Sequence, residues 1–334
     1  MFKHTNHLIG KTLTLLLLIS AQYSFSQQTR VYIVQFVDKV ENKSAENLLS
    51  PQAIERRQKY NIEISEDDYP VNSSYVQQVT QDTSISLRYT LKWHNAAVVS
   101  SDLLSLDFLT QLKSVKSVRY VGKAPVVKKK ESPAYVTPVV KLKESVMSTS
   151  DLTESDYGVA YEQNNQIGVT ELHKKGYDGY GVRIAVFDAG FKNIDRIPAF
   201  TKHQAHQLLT FGFDIAELDN EINASDNHGT SCASCIGAYE KGKYIGSAPR
   251  AHFTLFRTEY GATEYPVEEL NWCKAAELAD SIGIDLISSS LGYNRYDDTA
   301  LSYTHADLNG RTSYISISAK KATEKGIVVV NSAG

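Results

Sequence analysis

Two side chains that can hold and move a proton stand 40 positions apart in the second half of the chain. Asp188 ends the apolar run VRIAVFD, and His228 precedes Gly229 in NHGTSCAS. A histidine can act as a base near neutral pH, and a carboxylate beside it can hold the ring in place. Taken singly, each residue has an ordinary structural explanation, because an aspartate often follows a strand in a turn and a histidine before a glycine is usually a loop residue.

Two cysteines close to His228 allow a second kind of chemistry. Cys232 and Cys235 form a C-x-x-C pair, a spacing found in redox pairs and in half of a metal site. Because Cys273 is the third and last cysteine, a four-thiolate zinc site is excluded within this sequence, and His228 would have to complete a mixed one. A buried cysteine also packs as a small apolar residue, and this is the role that we expect for the pair.

The region that starts near Tyr157 alternates strand and helix patterns. The apolar run at 182–187, bounded by glycines, predicts a strand buried on both faces of a sheet. Such alternation favours an α/β fold with a parallel sheet, in which ligands and catalytic groups gather beyond the carboxyl ends of the strands. The residues at such strand ends are Asp188, Ser290, Leu291 and Gly292; the other predicted elements are strands at 251–256, 284–288 and 327–330 and helices at 267–282 and 316–325.

The first part of the chain has a different pattern. Residues 29–122 predict a small α+β domain, with a capped helix that begins at Pro51 and a second helix near 104–112. Between about Lys123 and Asp156 the sequence holds a lysine run, two prolines and a polar stretch, which together predict a linker. Exposed segments of this type are readily cleaved, so we expect the maturation cleavage within it. The predicted strands of the N-terminal domain are 31–37, 87–93, 96–100 and 115–121.

The N-terminus has the layout of a secretory signal peptide. Lys3 and Lys11 flank the start of the apolar run 13–19, and the small residues Ser24 and Ser26 come before a predicted cleavage after Ser26. The apolar run is shorter than the ~20 residues that a membrane-spanning helix needs, so no stable membrane anchor is expected. The sequence therefore predicts a secreted protein.

Taken together and in this order, the motifs resemble those of the subtilisin-like serine proteases (subtilases, peptidase S8). The resemblance lies in VRIAVFDAGF around Asp188, in NHGTSCAS around His228 and in SLG at 290–292. It implies a subtilisin-like parallel sheet with helices on both faces, incomplete toward the C-terminus, preceded by a small α+β domain similar in layout to the family's inhibitory propeptide. The implied organisation is a signal peptide at 1–26, a propeptide domain at 27–122, a linker with the maturation site at 123–156 and the N-terminal part of the catalytic domain at 157–334.

The resemblance also implies a role for each site residue. His228 is the base that takes the proton of a serine hydroxyl, and Asp188 holds the imidazole in the right tautomer and stabilises the imidazolium. The backbone of 290–292 binds the substrate as an additional strand. Ala189 departs from the family, where Ser or Thr usually follows the catalytic Asp, and a hydrogen bond near the site is lost with it.

The nucleophile that the resemblance implies does not stand at its place in these 334 residues. The family carries it in a G-T-S-M-A-like motif far downstream. The local string at 229–233 directly follows His228, so we interpret Ser231 as a helix-start residue. The oxyanion-hole Asn is expected directly after Gly334, and Asn331 is not assigned that role. We therefore expect these residues to be the truncated front part of a protease precursor and to be inactive on their own.

Three alternatives remain open at this point. A non-catalytic secreted pseudoprotease could keep a peptide-binding groove, although it would have no reason to keep both Asp188 and His228. A Cys/His metal-dependent hydrolase could use the same two residues as ligands, but it would explain neither SLG at 290–292 nor the terminal NSAG. Residues 29–122 could also form an unrelated domain.

Composition adds expectations about partners. A net charge of −3 over 334 residues gives no broad attraction to nucleic acid or to an anionic membrane. The expected partners are protein or peptide substrates and the chain's own propeptide, acting as an intramolecular inhibitor. The chemistry requires no cofactor, and structural calcium sites cannot be assigned from these residues.

Overall fold

The N-terminal part of the chain is built on a four-stranded antiparallel sheet. In this computed structural model, the residues described are 28–39, 49–126, 147–223 and 226–333. The predicted signal peptide and the lysine run of the predicted linker lie outside them. The strands are β1 (Gln28–Phe36), β2 (Ile85–Leu91), β3 (Ala96–Ser101) and β4 (Val115–Pro125), in the spatial order β2-β3-β1-β4, and the helices are α1 (Pro51–Lys59) and α2 (Ser73–Val79).

Strand β1 shows how this sheet is buried on both faces. Tyr32 and Val34 point into the core of the N-terminal domain, whereas Val31 and Ile33 point into a second core that contains residues of the C-terminal domain. This division follows from the alternation of side chains along a strand. The sheet is therefore both the centre of its own domain and one wall of an interdomain core.

Local signals explain where α1 begins. The Ser50 side chain accepts a hydrogen bond from the Ala53 backbone N–H at 3.1 Å, and Pro51 occupies the first helical position, as the sequence predicted. The helix expected near 104–112 is instead a short 3₁₀ turn at Asp107–Gln111. The apolar side chains of the predicted range 104–112 do not form one continuous buried face, since Leu104 is 81% exposed.

The predicted linker is more ordered at its edges than expected. Strand β4 extends to Pro125 because its last residues pair with the start of β1 at Gln28. Further on, Met147 and Leu152 are buried in a small core together with Tyr157. Apolar residues within a mostly polar stretch thus hold both flanks of the segment against the protein.

The C-terminal part of the chain contains a five-stranded sheet in which every pairing is parallel. Its spatial order is β11-β10-β5-β9-β6, and a short hairpin lies outside it. The strands of the sheet are β5 (Arg183–Asp188), β6 (Leu209–Asp214), β9 (His252–Arg257), β10 (Leu286–Ser289) and β11 (Val328–Asn331), and those of the hairpin are β7 (Tyr239–Glu240) and β8 (Tyr244–Ile245).

In the C-terminal part, the first three helices are short and the last two are long. They are α3 (Glu154–Tyr157), α4 (Tyr161–Gln166), α5 (Val169–Lys174), α6 (Thr201–Ala205), α7 (His228–Gly237), α8 (Val267–Ile282) and α9 (Tyr314–Glu324). The predicted helices at 267–282 and 316–325 correspond to α8 and α9. Within the described part of the chain, no helix combines the length and the apolar character needed to cross a bilayer.

Strand β5 places helices on both faces of the parallel sheet. Ile184 and Val186 pack into a core shared with Ala233 of α7, whereas Ala185 and Phe187 pack into the core that contains α8. The prediction of a strand buried on both faces is confirmed, and so is the α/β fold with a parallel sheet covered by helices on both faces. Strand β6 was not predicted, because Gly212 interrupts its short alternating pattern and glycine is uncommon inside strands.

Helix α8 lies between the two sheets. Its Trp272 is 1% exposed and belongs to the same core as Ile33 and Trp93 of the N-terminal domain. The two domains therefore share one continuous apolar core, with polar contacts around it.

Candidate active site

Asp188 is the last residue of the central strand β5 and is completely buried. The neighbouring strands carry it to the carboxyl edge of the sheet, where a parallel sheet of this kind collects its functional groups. One carboxylate oxygen, Oδ1, accepts a hydrogen bond from the Ala189 backbone N–H at 2.8 Å. The carboxylate is thus held at a defined position at the edge of the site.

His228 is the first residue of α7 and faces Asp188 across a close backbone contact. Asp226 positions the start of the helix, since its Oδ1 accepts a hydrogen bond from the His228 backbone N–H at 2.7 Å. Gly229 donates its N–H to the Gly190 carbonyl at 3.0 Å. A Cβ at Gly229 would lie 2.8 Å from the Asp188 Cβ and 2.5 Å from that carbonyl oxygen, so only glycine fits. The absence of this side chain brings the helix directly against the strand end.

The two predicted site residues meet through a hydrogen bond. His228 Nδ1 donates to Asp188 Oδ1 at 2.8 Å, which leaves Nε2 as the nitrogen free to accept a proton. Burial raises the pKa of the Asp188 carboxyl, and the hydrogen bond from His228 opposes this rise. The same hydrogen bond and the charge of Asp188 raise the pKa of His228, whose side chain is 55% exposed. A buried carboxylate thus makes a solvent-accessible imidazole more basic, as a general base requires.

The other oxygen of Asp188 has a different environment. Oδ2 is buried, and none of the described residues donates a hydrogen bond of normal geometry to it. Ala189, which follows Asp188, has no hydroxyl to offer. The departure from the family pattern noted in the sequence therefore coincides with an unsatisfied buried oxygen at the site.

Cys232 lies one helical turn after His228 and against its ring. Its Sγ is 3.8 Å from Nδ1 and 3.9 Å from Nε2 of the imidazole, and burial raises the pKa of the thiol. Together with Asp188 it completes a group whose possible ligand atoms all lie within 4.8 Å of one another. Cys235 is exposed, and its sulfur accepts a hydrogen bond from the Tyr244 hydroxyl at 3.6 Å. The prediction that the two cysteines pack as buried apolar residues is therefore wrong, because Cys232 is only half-buried.

The predicted substrate-binding residues follow β10 directly. Strand β10 pairs with β5 up to Ser289 and Phe187, so Ser290 begins at the level of Asp188. Leu291 is buried and Gly292 is exposed. The space beside Gly292 is open, since a Cβ there would meet no atom within 4 Å. The segment 290–292 is therefore accessible at Gly292 and starts level with Asp188.

Two residues that resemble the nucleophile and the oxyanion-hole Asn make hydrogen bonds to backbone carbonyls instead. The Ser231 hydroxyl donates to the Asn227 carbonyl at 3.3 Å, within the first turn of α7. Asn331 Nδ2 donates to the Leu291 and Ser332 carbonyls at 3.0 and 2.8 Å. Among the described residues, no serine hydroxyl makes a hydrogen bond to His228.

One residue near the pair was missed by the sequence reasoning. Glu259 follows β9, and its carboxylate accepts a very short hydrogen bond from the Tyr293 hydroxyl. Burial raises the pKa of Glu259 to about 7, and the charges of Asp188 and His228 act on it with opposite signs. Its position after a predicted strand in the same sheet was the available signal.

Comparison with known families gives two matches along the chain. Residues 31–136 match the family described as the Peptidase S8 propeptide domain, Bacteroidota. Residues 179–334 match the Subtilase family. Among curated proteins, the chain is similar to the minor extracellular protease Vpr of Bacillus subtilis (strain 168), with 28% identity over 169 residues. The similar stretch covers 47% of this chain and 20% of Vpr, so this chain spans about a fifth of that relative.

Solved structures share the fold. Fervidolysin from Fervidobacterium pennivorans, a keratinolytic enzyme related to subtilisin, aligns with a TM-score of 0.52 and 15% identity over 92% of this chain and 40% of its own. The epidermin leader peptide processing serine protease of Staphylococcus aureus aligns with a TM-score of 0.51 and 16% identity over 92% of this chain and 60% of its own. Residues 179–334 therefore belong to the subtilase family, peptidase S8, and the region before them matches a propeptide domain of the same peptidase family.

Proposed function

We propose that the protein to which this chain belongs is a secreted serine endopeptidase made as a precursor, with Asp188 and His228 as two members of its catalytic triad. The observation that carries the proposal is the hydrogen bond from His228 Nδ1 to the buried Asp188 at 2.8 Å, inside a subtilase domain. Family membership supports peptide substrates and serine chemistry. The extracellular relative Vpr supports secretion, in agreement with the signal peptide expected at 1–26.

The proposed reaction is acyl transfer through a serine that lies outside the described residues. His228 Nε2 takes the hydroxyl proton as the serine oxygen bonds to the peptide carbonyl carbon. The imidazolium then gives that proton to the leaving amine as the peptide C–N bond breaks. Water attacks the acyl-enzyme by the same route, which releases the acid and restores the serine. Asp188 keeps Nδ1 protonated and stabilises the imidazolium throughout.

The backbone at 290–292, which is exposed at Gly292, is proposed to bind the substrate as an extra strand. Its support is its position at the carboxyl end of β10, level with Asp188, and the open space beside Gly292. Main-chain hydrogen bonds along such an edge bind a peptide largely independently of its sequence. Side-chain preferences then depend on the pockets around it.

The propeptide domain is proposed to inhibit the protease domain within the same chain. Its sheet packs on α8, and buried ion pairs join the two domains, among them Arg56 to Asp280 at 2.6 Å. Strand β4 runs to Pro125 and passes Tyr265, at the loop that follows β9. The maturation cleavage predicted within 123–156 would break the covalent connection between the two domains.

The experiment that tests the proposal uses the full-length protein. Asp188→Asn should lower kcat by about 10⁴-fold, because the asparagine would hold the imidazole in the wrong tautomer. His228→Ala should have a comparable effect, whereas the control Asp195→Asn on the loop after β5 should leave activity unchanged. Retained activity in the Asp188→Asn protein would overturn the assignment. A wild-type protein that binds peptides without cleaving them would favour the pseudoprotease alternative.

We also propose that residues 1–334 on their own do not hydrolyse peptides, because no serine hydroxyl of the described residues bonds to His228. The purified chain should cleave a quenched peptide no faster than its own His228→Ala variant. Cleavage above that level would show that a local side chain, such as the Cys232 thiol, serves as the nucleophile.

A further inference from the structure

Three glutamates that follow β9 have no ion-pair partner among the described residues, and one of them, Glu259, is within electrostatic reach of the Asp188–His228 pair. Glu259 follows β9, Glu264 lies in the next loop, and Glu268 is in the first turn of α8. None of the ion pairs among the described residues includes any of the three. The buried Asp68 and Asp280, in contrast, pair with arginines, and the buried Glu269 and Glu277 accept hydrogen bonds from Tyr296 and from the Trp93 backbone N–H.

Glu268 is the most unusual member of this acidic cluster. The residue is 1% exposed, both carboxylate oxygens are buried, and neither accepts a hydrogen bond of normal geometry from the described residues. Burial raises the pKa of Glu268 to about 10, and the charges of Glu259 and Glu264 raise it further, while the Tyr260 backbone N–H opposes them. A buried carboxyl without a partner is energetically unfavourable unless it is protonated or meets a cation.

The acidic cluster is connected to the substrate-binding backbone. Tyr293, which donates its hydroxyl to Glu259, directly follows Gly292. The charges of Asp188 and His228 both affect the pKa of Glu259, so this glutamate is within electrostatic reach of the pair. A peptide lying along 290–292 would therefore pass beside the cluster.

An extended backbone already passes the other side of the cluster. Gly122 of β4 has a φ of +108°, and a Cβ there would lie 2.4 Å from the Tyr265 Cβ. Tyr265 follows Glu264 directly. The loop that carries Glu264 is thus shaped to let an extended chain lie close against it.

The arrangement does not suit a metal ion. Among the described residues, Asp188, His228 and Cys232 form a group whose possible ligand atoms all lie within 4.8 Å of one another. The three glutamates do not form such a group. A divalent cation holds its oxygen ligands at about 2.0–2.6 Å from one centre, and the ligands must then lie within about 5 Å of one another. A long organic cation, in contrast, can reach carboxylates that are several ångströms apart.

We propose that Glu259, Glu264 and Glu268 form a pocket for one cationic group of the substrate, an ammonium or a guanidinium, beside the peptide bond that is cleaved. The inference rests on the proposed protease function. A bound cation gives Glu268 the partner that it lacks and reduces the repulsion among the three carboxyls. The pocket therefore selects substrates by charge, whereas the backbone at 290–292 binds them irrespective of sequence.

The test compares lysine with norleucine, which has the same chain without the charge. Quenched peptides carrying one or the other at each position near the scissile bond are given to the matured full-length protease, and kcat/KM is measured. At one position the lysine peptide should be cleaved at least about tenfold better, the factor that corresponds to 1.4 kcal/mol. Glu264→Gln and Glu268→Gln should each lower this lysine-to-norleucine ratio toward one, whereas the exposed control Glu221→Gln should leave it unchanged.

Two further arms identify the source of the cation. Peptides with a free or an acetylated N-terminus distinguish an α-ammonium from a side chain, and arginine in place of lysine compares guanidinium with ammonium. Active-site titration gives the folded fraction of each variant, so that a poorly folding variant does not change the ratio. A ratio near one at every position in the wild type, or a ratio unaffected by both substitutions, overturns the inference.

The same peptides separate this inference from the protease proposal. If the wild type cleaves no peptide, the proposed function fails, and fluorescence anisotropy of labelled lysine and norleucine peptides still decides the inference. Tighter binding of the lysine peptide that is lost in Glu268→Gln supports a cation pocket without catalysis. Equal binding of both peptides overturns it.

Discussion

Helix α8 carries a buried carboxyl group near each end, and the two have opposite surroundings. Asp280 is 0% exposed and accepts hydrogen bonds from Arg56 Nη2 at 2.6 Å and from Arg57 Nη2 at 2.9 Å. Glu268 is 1% exposed and accepts none of normal geometry from the described residues. The helix dipole cannot explain the difference, since it favours an anion at the N-terminal end, where Glu268 lies, and disfavours one at the end of Asp280.

The difference follows from what the propeptide domain brings to each end. Helix α1 supplies both arginines to Asp280, and Arg57 also makes two hydrogen bonds to Asp68, at 2.8 and 3.0 Å. At the opposite end of α8, Arg119 of β4 acts on the neighbouring Glu269, but no arginine of the described residues pairs with Glu268. Asp280 therefore has its cationic partners within the domain interface. Glu268, by our proposal, meets its cationic partner when a substrate binds.

The largest effect is expected from Asp280→Asn. It would leave the buried guanidinium groups of Arg56 and Arg57 short of a carboxylate, and breaking a buried ion pair from one side typically costs about 3–5 kcal/mol. The free energy of unfolding from urea titration should fall by this amount. The matched control is Asp285→Asn, whose pair with Arg183 is 25–31% exposed and should contribute about 1 kcal/mol or less. Equal losses in the two variants would contradict the comparison.

Glu268→Gln should have the opposite sign. Removing a buried carboxyl that has no partner should raise the free energy of unfolding at pH 7 by about 1–3 kcal/mol. The folded-state pKa of about 10 lies above the ordinary value of 4.5, so the wild type loses stability as the pH rises from about 4.5 toward 10. Urea titrations between pH 5 and 9 should show a smaller decline in the variant. Parallel curves would show that Glu268 has a partner.

His94 provides a pH test of the interface itself. The ring belongs to the propeptide domain, and its Nε2 lies 2.8 Å from the Ser318 hydroxyl of α9. Burial lowers the pKa of His94 to about 4, the charges of Lys321 and Lys39 lower it as well, and Asp67 opposes them. Stability is therefore complete above pH 6.5 and is lost as the pH falls through 4, by up to about 1.4 kcal/mol per pH unit.

The variant His94→Gln should remove this dependence. Its free energy of unfolding, compared with that of the wild type between pH 7 and 4, should decline less steeply. The exposed His305 offers a matched control, since His305→Gln should leave the slope unchanged. A wild-type curve that is flat over this range would contradict the expected protonation of His94.

The smallest effect is expected at the rim of the same interface. Lys321 Nζ lies 2.6 Å from Asp67 Oδ2, but the two side chains are 21% and 32% exposed. Partly exposed pairs contribute about 0.2–1 kcal/mol. A double-mutant cycle with Lys321→Met and Asp67→Asn should give a coupling energy in this range, well below the loss in Asp280→Asn.

The sequence predicted the site better than the interface. Asp188 and His228 stand in motifs whose order and residue types resemble a known family, so their proximity could be predicted without coordinates. The contact between Arg56 and Asp280 joins positions 224 residues apart, and no local pattern marks either residue as a partner of the other. The missing partner of Glu268 is harder still to predict, because it depends on every residue that surrounds the carboxyl.

The limits of the fold prediction have similar causes. Strands β5, β9 and β10 carry strong apolar runs and were predicted to within about two residues. Strand β6 carries Gly212, whose Cβ would lie 2.2 Å from the Leu255 carbonyl oxygen of the adjacent strand. The close packing that makes glycine necessary there also removes the residue pattern by which a strand is recognised.

Gly229 also affects which changes of sequence this protein can tolerate during evolution. The gap between His228 and Asp188 is set by two backbones in contact, not by the loops between them. Changes of length in the loops of this segment, away from β6 and from Asp226, can therefore be accommodated without moving the base away from the acid. Any side chain at position 229 would separate them, even with every loop intact. Because residue 229 has no side chain, the backbone contact sets the distance between Asp188 and His228, and not the 40 positions that separate them in the sequence.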